Sequence, residues 1–565
     1  MNLTEYAIRK KAVVLFGALV LALAGVVSYF EMGKLEDPEF SIKTAVVTTS
    51  YPGATPLQVE QEVTDVLETV IQRLSSLDHV RSASTAGRST IWVDLKESYR
   101  KDDLPQLFDE LRKKVAIAGP RLPPGAGPPV VSDDFGDVYG ILLAVVSDGV
   151  SPDELKDYAD DIRRELLLVD NVARVELWGQ QQEVVRLNVS RARLEEMGIS
   201  REMLAGTLTQ QNTVLDGGSL DIGDRRMRIR IGGEYDSVRE IGEQVLRGQG
   251  SNAMVRIKDV ATVSRGYVDP PVWKMRFNGE PSIGLAISTV SGGNVIDMGK
   301  AVRVRLDELM RDIPVGVSIE TVAYQPEVVE ESINDFMLNL FEAVVIVIAL
   351  LLLFMGLSSG LLIGLGLVLT ICITFTFMSV MNLTLDRVTL GALIVALGML
   401  VDNAIVVTEG MLVKMQHRTP GPVAASLVFK ETAWPLLGAT LVAAFAFLPI
   451  YMAPNNTGEY CVGLFLVVTL SLLVSWVLAV TVTPILCDKW LRPKPLAEGG
   501  DPYAGRMFRW YRRVVRGALA HRTVTLLMLA IMFGGAVYGF KTVKREFFPE
   551  SKRPQLMIDY WLPEG

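Results

Sequence analysis

Cysteine and histidine are nearly missing from this chain, with three of each among 565 residues. Cys372, Cys461 and Cys487 fall in or beside apolar runs, so neither a disulfide framework nor a CxxC metal site is on offer. His79, His417 and His521 are scattered, which removes a His/Cys metal cluster. A strong charge of one sign is lacking too. The 64 acidic and 56 basic residues leave a formal charge of -8, small for this length, and it gives no support to nucleic-acid binding. Nor is there a phosphate loop. GGNVIDMGKA, 292–301, has Asn294 where the first glycine should stand, and Ala301 follows Lys300. No cofactor and no enzymatic chemistry are expected.

What the chain has in plenty is hydrophobic sequence: 49% of residues, with a mean hydropathy of +0.30. About 20 apolar residues cross a bilayer, and seven runs qualify: 12–30, 338–357, 361–381, 388–413, 432–454, 460–487 and 523–541. The second and third come from one uncharged stretch of double length, expected to turn at MGLSSG, 355–360. The first run is too long for a signal peptide, and no A-x-A site precedes KLEDPEF, so it reads as an anchor that stays. Lys and Arg near the spans set orientation. Arg9, Lys10 and Lys11 precede span one; Lys414, Arg418 and Lys430 lie between spans four and five; nine Lys/Arg against three Asp/Glu fill 488–522. With seven alternating spans these three segments share the cytoplasmic side, and 31–337 is extracytoplasmic. RMFRWYRRVVRGAL, 506–519, mixes arginines with Phe508, Trp510, Tyr511 and Val514, the pattern of a helix on the inner membrane surface; a solvated basic loop is the alternative.

Two repeats follow. In the external segment, 43–50 alternates like a strand, and Thr55, Pro56 and Gln58 open a helix with a capping box. LDHVRSASTAG, 77–87, and TIWVDL, 90–95, are strands. Some 95 residues later the pattern recurs: YGILLAVVS, a capping box at Ser151 and Glu154, then VDNVARVELWG, 169–179, with Asp170, Val172 and Gly179 matching Asp78, Val80 and Gly87. These are two split β-α-β units. The second is interrupted by 181–268 and resumes at MRFNGEPSIGLAIS. The longer repeat has an offset of 511: Val13 falls on Val524, Leu15 on Leu526, Pro38 on Pro549 and Pro52 on Pro563. Residues 542–565 therefore read as the start of a second external domain, its first strand included, in a polypeptide nearly twice as long.

GMLVDNAIVV, 398–407, puts Asp402 near the middle of the fourth span. A central carboxylate on a membrane helix costs roughly 2.5–3.5 kcal/mol and usually faces a bundle interior or an ion path. Low dielectric favours a neutral carboxyl and a nearby cation an ionised one, so a group poised between the two can switch charge. Asp402 is read as the charge-switching element of a proton-driven machine, with a static ion pair between helices as the alternative. Glu409, seven residues on, lies near the same face and is read as snorkelling, pairing with Lys414, or carrying protons. Glu342, at the start of span two, is read as an interfacial or pairing residue.

Four motifs taken together carry a family likeness: TTSYPGATPLQVEQEV after span one, GMLVDNAIVVTEGM in span four, FAFLPIYMAPNNTGEY in the fifth and TVTPILCDKWLRP closing the sixth. On these the chain resembles the resistance–nodulation–division (RND) transporters, hydrophobe/amphiphile efflux branch, over essentially its whole length. The resemblance implies an α-helical membrane bundle plus an α+β periplasmic domain, the RND multidrug efflux fold with ferredoxin-like (β-α-β) porter subdomains. The implied division is a cytoplasmic N-terminus at 1–11, one porter subdomain at 31–132, a second at 133–180 and 269–330, a docking subdomain at 181–268 and a cytoplasmic basic segment at 488–522. It further implies a homotrimer in the bacterial inner (plasma) membrane that exports hydrophobic small-molecule drugs in exchange for protons. Its partners would be a periplasmic adaptor (membrane fusion protein) and an outer-membrane channel, with no nucleic acid.

By the same resemblance, Asp402 falls on the first of two adjacent aspartates, and Asn403 departs from the second. Asn403 can still orient Asp402 by hydrogen bonds. The family's arm to the next protomer is shortened at 210–230. Phe135, Tyr139 and Trp178 fall at or beside aromatic positions of the family's drug pocket; ordinary core aromatics are the alternative. Export of a metal ion or lipid, or a membrane-anchored assembly scaffold, are the competing functions.

Overall fold

The computed structural model describes residues 3–39, 41–134, 138–211, 216–223, 225–230, 235–247, 254–492, 506–543 and 555–560. It divides into two compact units: Met1–Val138 with Thr289–Lys300 and Gln325–Gly565, and Tyr139–Ser288 with Ala301–Tyr324.

In the first unit, seven helices among the described residues are long and apolar enough to cross a membrane: Lys11–Glu31, Gln325–Met355, Leu357–Val380, Arg387–Gln416, Gly421–Phe445, Val462–Trp490 and Arg522–Phe540. The turn between the second and third is a single residue, Gly356, at φ +82°. The two helices close on each other at once, since a Cβ on Gly360 would stand 2.8–2.9 Å from backbone atoms of Leu351 and Leu352. Two helices differ clearly from their expected bounds. The second helix starts thirteen residues before 338, because its first turns are amphipathic: they bury Pro326, Val329 and Ile333 while Glu327, Glu330 and Asp335 lower the hydropathy. The fifth runs Gly421–Phe445 rather than 432–454. Its first turns include Lys430 and Glu431, which hide them from a hydropathy reading, and Pro449 starts a separate turn, Leu448–Tyr451. The fourth span is the core of the bundle. Leu390, Leu393, Leu397 and Leu400 are buried on it among small residues such as Ala392 and Ala396, which let neighbouring backbones approach.

The same unit holds a four-stranded antiparallel sheet of β1 (Thr44–Ser50), β2 (Leu77–Thr85), β3 (Arg88–Leu95) and β4 (Val130–Ser132), in the order β2-β3-β1-β4. Alternation aims Ile91, Val93 and Leu95 of β3 and Ala45 and Val47 of β1 at one core. The helix Leu104–Ala118 lays Leu104, Phe108, Leu111 and Val115 on it, each burial contributing roughly 1.5–3 kcal/mol. Thr55 caps the helical segment between β1 and β2 with the expected box to Gln58. That segment is not a plain α-helix: Glu60–Thr64 is a π turn, with the buried Thr64 hydroxyl bonded to the Val59 carbonyl.

The second unit repeats the plan. β5 (Tyr139–Ser147) is followed by the helix Pro152–Leu166, capped by Ser151 and Glu154, and by β6 (Val172–Trp178). After the insertion come the strands Glu280–Thr289 and Val317–Tyr324, which flank β5, while β6 pairs with Glu280–Thr289. Four of its strands thus take the order of the first sheet, and a fifth, Met275–Phe277, pairs with the start of Glu280–Thr289. Gly87 and Gly179, paired by the repeat, both take φ near +80°, the left-handed turn that favours glycine. The insertion closes on its own small core of Leu194, Leu204, Leu246 and Ile257, and carries a hairpin, Asp216–Ile222 with Arg225–Arg230. The repeat partners Pro549 and Pro563 lie outside the described residues, and 555–560 take up no regular secondary structure.

Candidate functional site

The fourth span is set in place at its head. Asp386 is the N-cap: its carboxylate accepts from the Val388 and Thr389 N–H groups, and the Thr389 hydroxyl accepts from the Asp386 N–H. From Arg387 the helix runs 30 residues without a break, about 45 Å, and Asp402 sits at its middle.

At 100° per residue, neighbours in sequence cannot share a face. Asp402 and Asn403 therefore part company. Asn403 is 4% exposed, its amide nitrogen 3.4 Å from Thr440 Oγ1 on the fifth span and 3.5 Å from Ser475 Oγ on the sixth. Both hydroxyls have nearer acceptors: Ser475 donates to the Leu400 carbonyl at 2.6 Å, tying span six to span four, and Thr440 to the Leu436 carbonyl at 2.7 Å. Asp402 lies instead on an exposed stripe, Val395, Gly398, Asp402, Val406 and Glu409, at helical spacings of three and four. Expected in the bundle interior, it faces outward from the seven described helices. Among the described residues neither Asp402 nor Glu409 has a hydrogen-bond or ion-pair partner. Asn403 is bonded away from Asp402 rather than to it. Lys414, a possible mate for Glu409, pairs with Glu431 at 2.8 Å. Glu342 is exposed on the second span.

The aromatic residues singled out in the sequence are not brought into one stack. Phe135 lies outside the described residues. Tyr139 opens β5 opposite Ser288, and burial first, then the Glu176 carboxylate, push its phenol up to about 12. Trp178 closes β6, 53% exposed, with its Cβ 3.3 Å from where a Gly284 Cβ would stand, a place that Met275 Sδ approaches more closely at 2.6 Å. Ser288 and Gly284 are four residues apart on one strand, so these two aromatics are roughly 13 Å apart along it.

A second polar cluster, absent from the sequence reading, stands at the head of the fourth span around Arg387. Its members come from residues 36–43, 325–332, 387 and 456–460. The only sequence signal is the density of charge in KLEDPEFSIK, next to an apolar span.

Comparison with known proteins decides the family: the pattern of the AcrB/AcrD/AcrF family matches residues 3–565. The chain belongs to the AcrB/AcrD/AcrF family. As an AcrB/AcrD/AcrF-family chain it is similar to the multidrug export protein AcrF of Escherichia coli, with 25% identity over 97% of this chain and 55% of that protein. It is similar to the multidrug resistance protein MdtF of Escherichia coli, also at 25% over 97% of this chain and 54% of the relative. It is similar as well to SilA of Salmonella typhimurium, a protein named for cation efflux, at 26% over 98% of this chain and 54% of the relative. The chain spans about half the length of the curated relatives it matches.

Proposed function

We propose that this chain belongs to the membrane subunit of a proton-motive-force-driven pump that expels hydrophobic or amphiphilic drugs and biocides. The pump is a homotrimer in the bacterial inner membrane with a large periplasmic domain. It works with a periplasmic adaptor and an outer-membrane channel. The observation that carries the reading is the exposed stripe of the fourth span, with an unpartnered carboxylate at its middle and a second near its end. Membership in a family whose relatives include multidrug exporters supports the same conclusion.

The proposed chemistry is a change of charge. Ionised, a carboxylate at mid-span costs roughly 2.5–3.5 kcal/mol unless it is solvated or paired; neutral, it costs far less. The two forms of Asp402 thus prefer different surroundings of the stripe, and a proton that binds one arrangement better shifts the population toward it. Each proton moving down 100 mV supplies about 2.3 kcal/mol. Glu409, two turns or about 10 Å along the helix, is a second stop on the same face. Asn403, about 100° round the helix, faces spans five and six, so the helix has one packed side and one side free to change surroundings. On the drug side, Phe135, Tyr139 and Trp178 offer aromatic area, which binds varied apolar ligands without specific hydrogen bonds.

The test is Asp402→Asn in the full-length protein, expressed at matched levels in an efflux-deficient host. Efflux of a hydrophobic dye is expected to fall to the background of cells without the pump. Undiminished efflux removes the proton role, and no efflux by the wild type favours a scaffold. Cation export is the second reading, carried by the similarity to SilA. Resistance to silver or copper salts without resistance to dyes would establish it instead.

A further inference from the structure

The stretch from Glu36 to Lys43 joins the first span to β1, and it is bound at both ends by buried charge. At the near end, Arg387 is 13% exposed; it places one guanidinium nitrogen 3.1 Å from Glu36 Oε1 and the other 3.8 Å from Asp37 Oδ1. Its backbone N–H donates to the Glu36 carbonyl at 3.4 Å; the Leu35 N–H donates to the Leu385 carbonyl at 3.0 Å and the Leu385 N–H to the Gly33 carbonyl at 2.8 Å. Gln325, the first residue of the second span's helix, donates to the other Glu36 oxygen at 2.9 Å, and Tyr460 donates to Asp37 Oδ1 at 2.9 Å. At the far end, Lys43, with a side chain only 5% exposed, donates to Glu459 Oε2 at 2.7 Å and to Asn456 Oδ1 at 2.6 Å. Ser41 gives Glu459 Oε1 both its N–H and its hydroxyl. Burial alone would raise the Glu459 carboxyl, yet Lys43 and Ser41 together hold it below the usual carboxylate range.

Burying Lys43 and Arg387 has a desolvation cost that an apolar contact would avoid, so stability is a weak explanation for them. Position is a stronger one. Arg387 is the first residue of the unbroken helix that carries Asp402 fifteen residues on. One residue past Lys43 begins β1, the strand that pairs with both β3 and β4. Glu459 and Tyr460 sit at the entry to the sixth span, whose Ser475 is bonded to the fourth. The linker is therefore gripped by the heads of the fourth span, which carries Asn403, and of the sixth, which Asn403 contacts, and it leads into the middle of a sheet.

We infer that Arg387 is a positioning residue that, through Glu36 and Asp37, delivers movement of the fourth span to β1, with the Lys43–Glu459 pair fixing the other end of the lever. This inference rests on the proton-driven reading above. The change at Asp402 shifts the fourth span; the ion pairs oblige the linker to follow, and β1 moves with its sheet. Without Arg387 the helix can change state while the sheet stays behind.

The experiment uses the full-length protein in proteoliposomes under an imposed pH gradient. Dye transport is read together with equilibrium dye binding and thermal unfolding, for wild type, Arg387→Met, Arg387→Lys, and the exchange Glu36→Arg with Arg387→Glu. Arg387→Met is expected to lower the maximal transport rate about tenfold, within the ~5–150-fold range of a coupling free energy. Its dye affinity should stay close to wild type, its unfolding temperature should fall because Glu36 is left buried without its cation, and Arg387→Lys or the exchange should recover part of the rate. Transport by Arg387→Met equal to wild type overturns the inference. So does a loss of transport that runs in step with lost dye binding or lost folded protein, the signature of a staple. Wild-type protein that ignores the pH gradient sinks the proton reading instead, whatever Arg387→Met does.

Discussion

Asp402 and Asn403 are neighbours in sequence and opposites in environment, one on an exposed stripe and the other 4% exposed between two further helices. The sequence marked the pair, because a charged residue inside an apolar run is conspicuous; the direction of each side chain depended on which helices pack on which face, and no local pattern carries that. Asp386, at the head of the same helix, is a sharper residue-scale case. Burial outweighs its bonds to Thr389, Thr384 and Val388 and raises its carboxyl from 3.8 to about 6. An acid whose folded value lies above its unfolded one destabilises the fold as it ionises. Its stabilising influence is complete below about pH 4 and is lost as pH rises through about 6, a swing of about 3 kcal/mol. Asparagine is an equally good N-cap. Asp386→Asn should therefore unfold with a flatter pH dependence between pH 4 and 6 and be at least as stable as wild type at pH 7. Thermal unfolding in detergent across that range checks this, and parallel curves for the two proteins would contradict it.

At the scale of elements, close backbone approach decides where helices can meet. A Cβ on Gly25 of the first span would stand 1.7 Å from the Cys372 carbonyl oxygen of the third, whereas nothing lies within 4 Å of one on Gly17 of the same helix. Gly25→Ala is expected to destabilise by about 1–3 kcal/mol or more, since the obstacle is backbone, and Gly17→Ala to leave the unfolding temperature within error or raise it slightly. Equal effects of the two substitutions would show that the first and third spans do not cross there. The helix Arg506–Ala520 makes a second element-scale prediction. It exposes Phe508, Trp510, Tyr511, Val514 and Leu519 alongside its arginines. Trp510 emission in the reconstituted full-length protein, taken as the difference from Trp510→Phe, should be quenched by brominated lipid; no quenching would make this a solvated helix. Several elements were legible in advance for clear physical reasons. Both capping boxes, the turn at Gly356 and the matched glycines Gly87 and Gly179 are local signals. The start of the fifth span was not, because Lys430 and Glu431 fall inside its helix, and the π turn at Glu60–Thr64 has no composition that marks it.

At the scale of the whole molecule, two sheets that share a four-strand order and, among the described residues, seven long apolar helices follow from repeats and hydrophobic runs that the sequence displays openly. The network at Arg387 does not, because its partners are hundreds of residues apart: Glu36 with Arg387, Ser41 and Lys43 with Glu459. Only folding puts them side by side. The proposed proton-driven function requires that Asp402 exchange a proton during turnover. Infrared difference spectra of the full-length protein, recorded as drug and a pH gradient are applied together, test this most directly. The account predicts a protonated-carboxyl band that rises and decays during turnover and is missing from Asp402→Asn. A band that persists unchanged in Asp402→Asn, or no carboxyl change while wild-type protein transports drug, would contradict it.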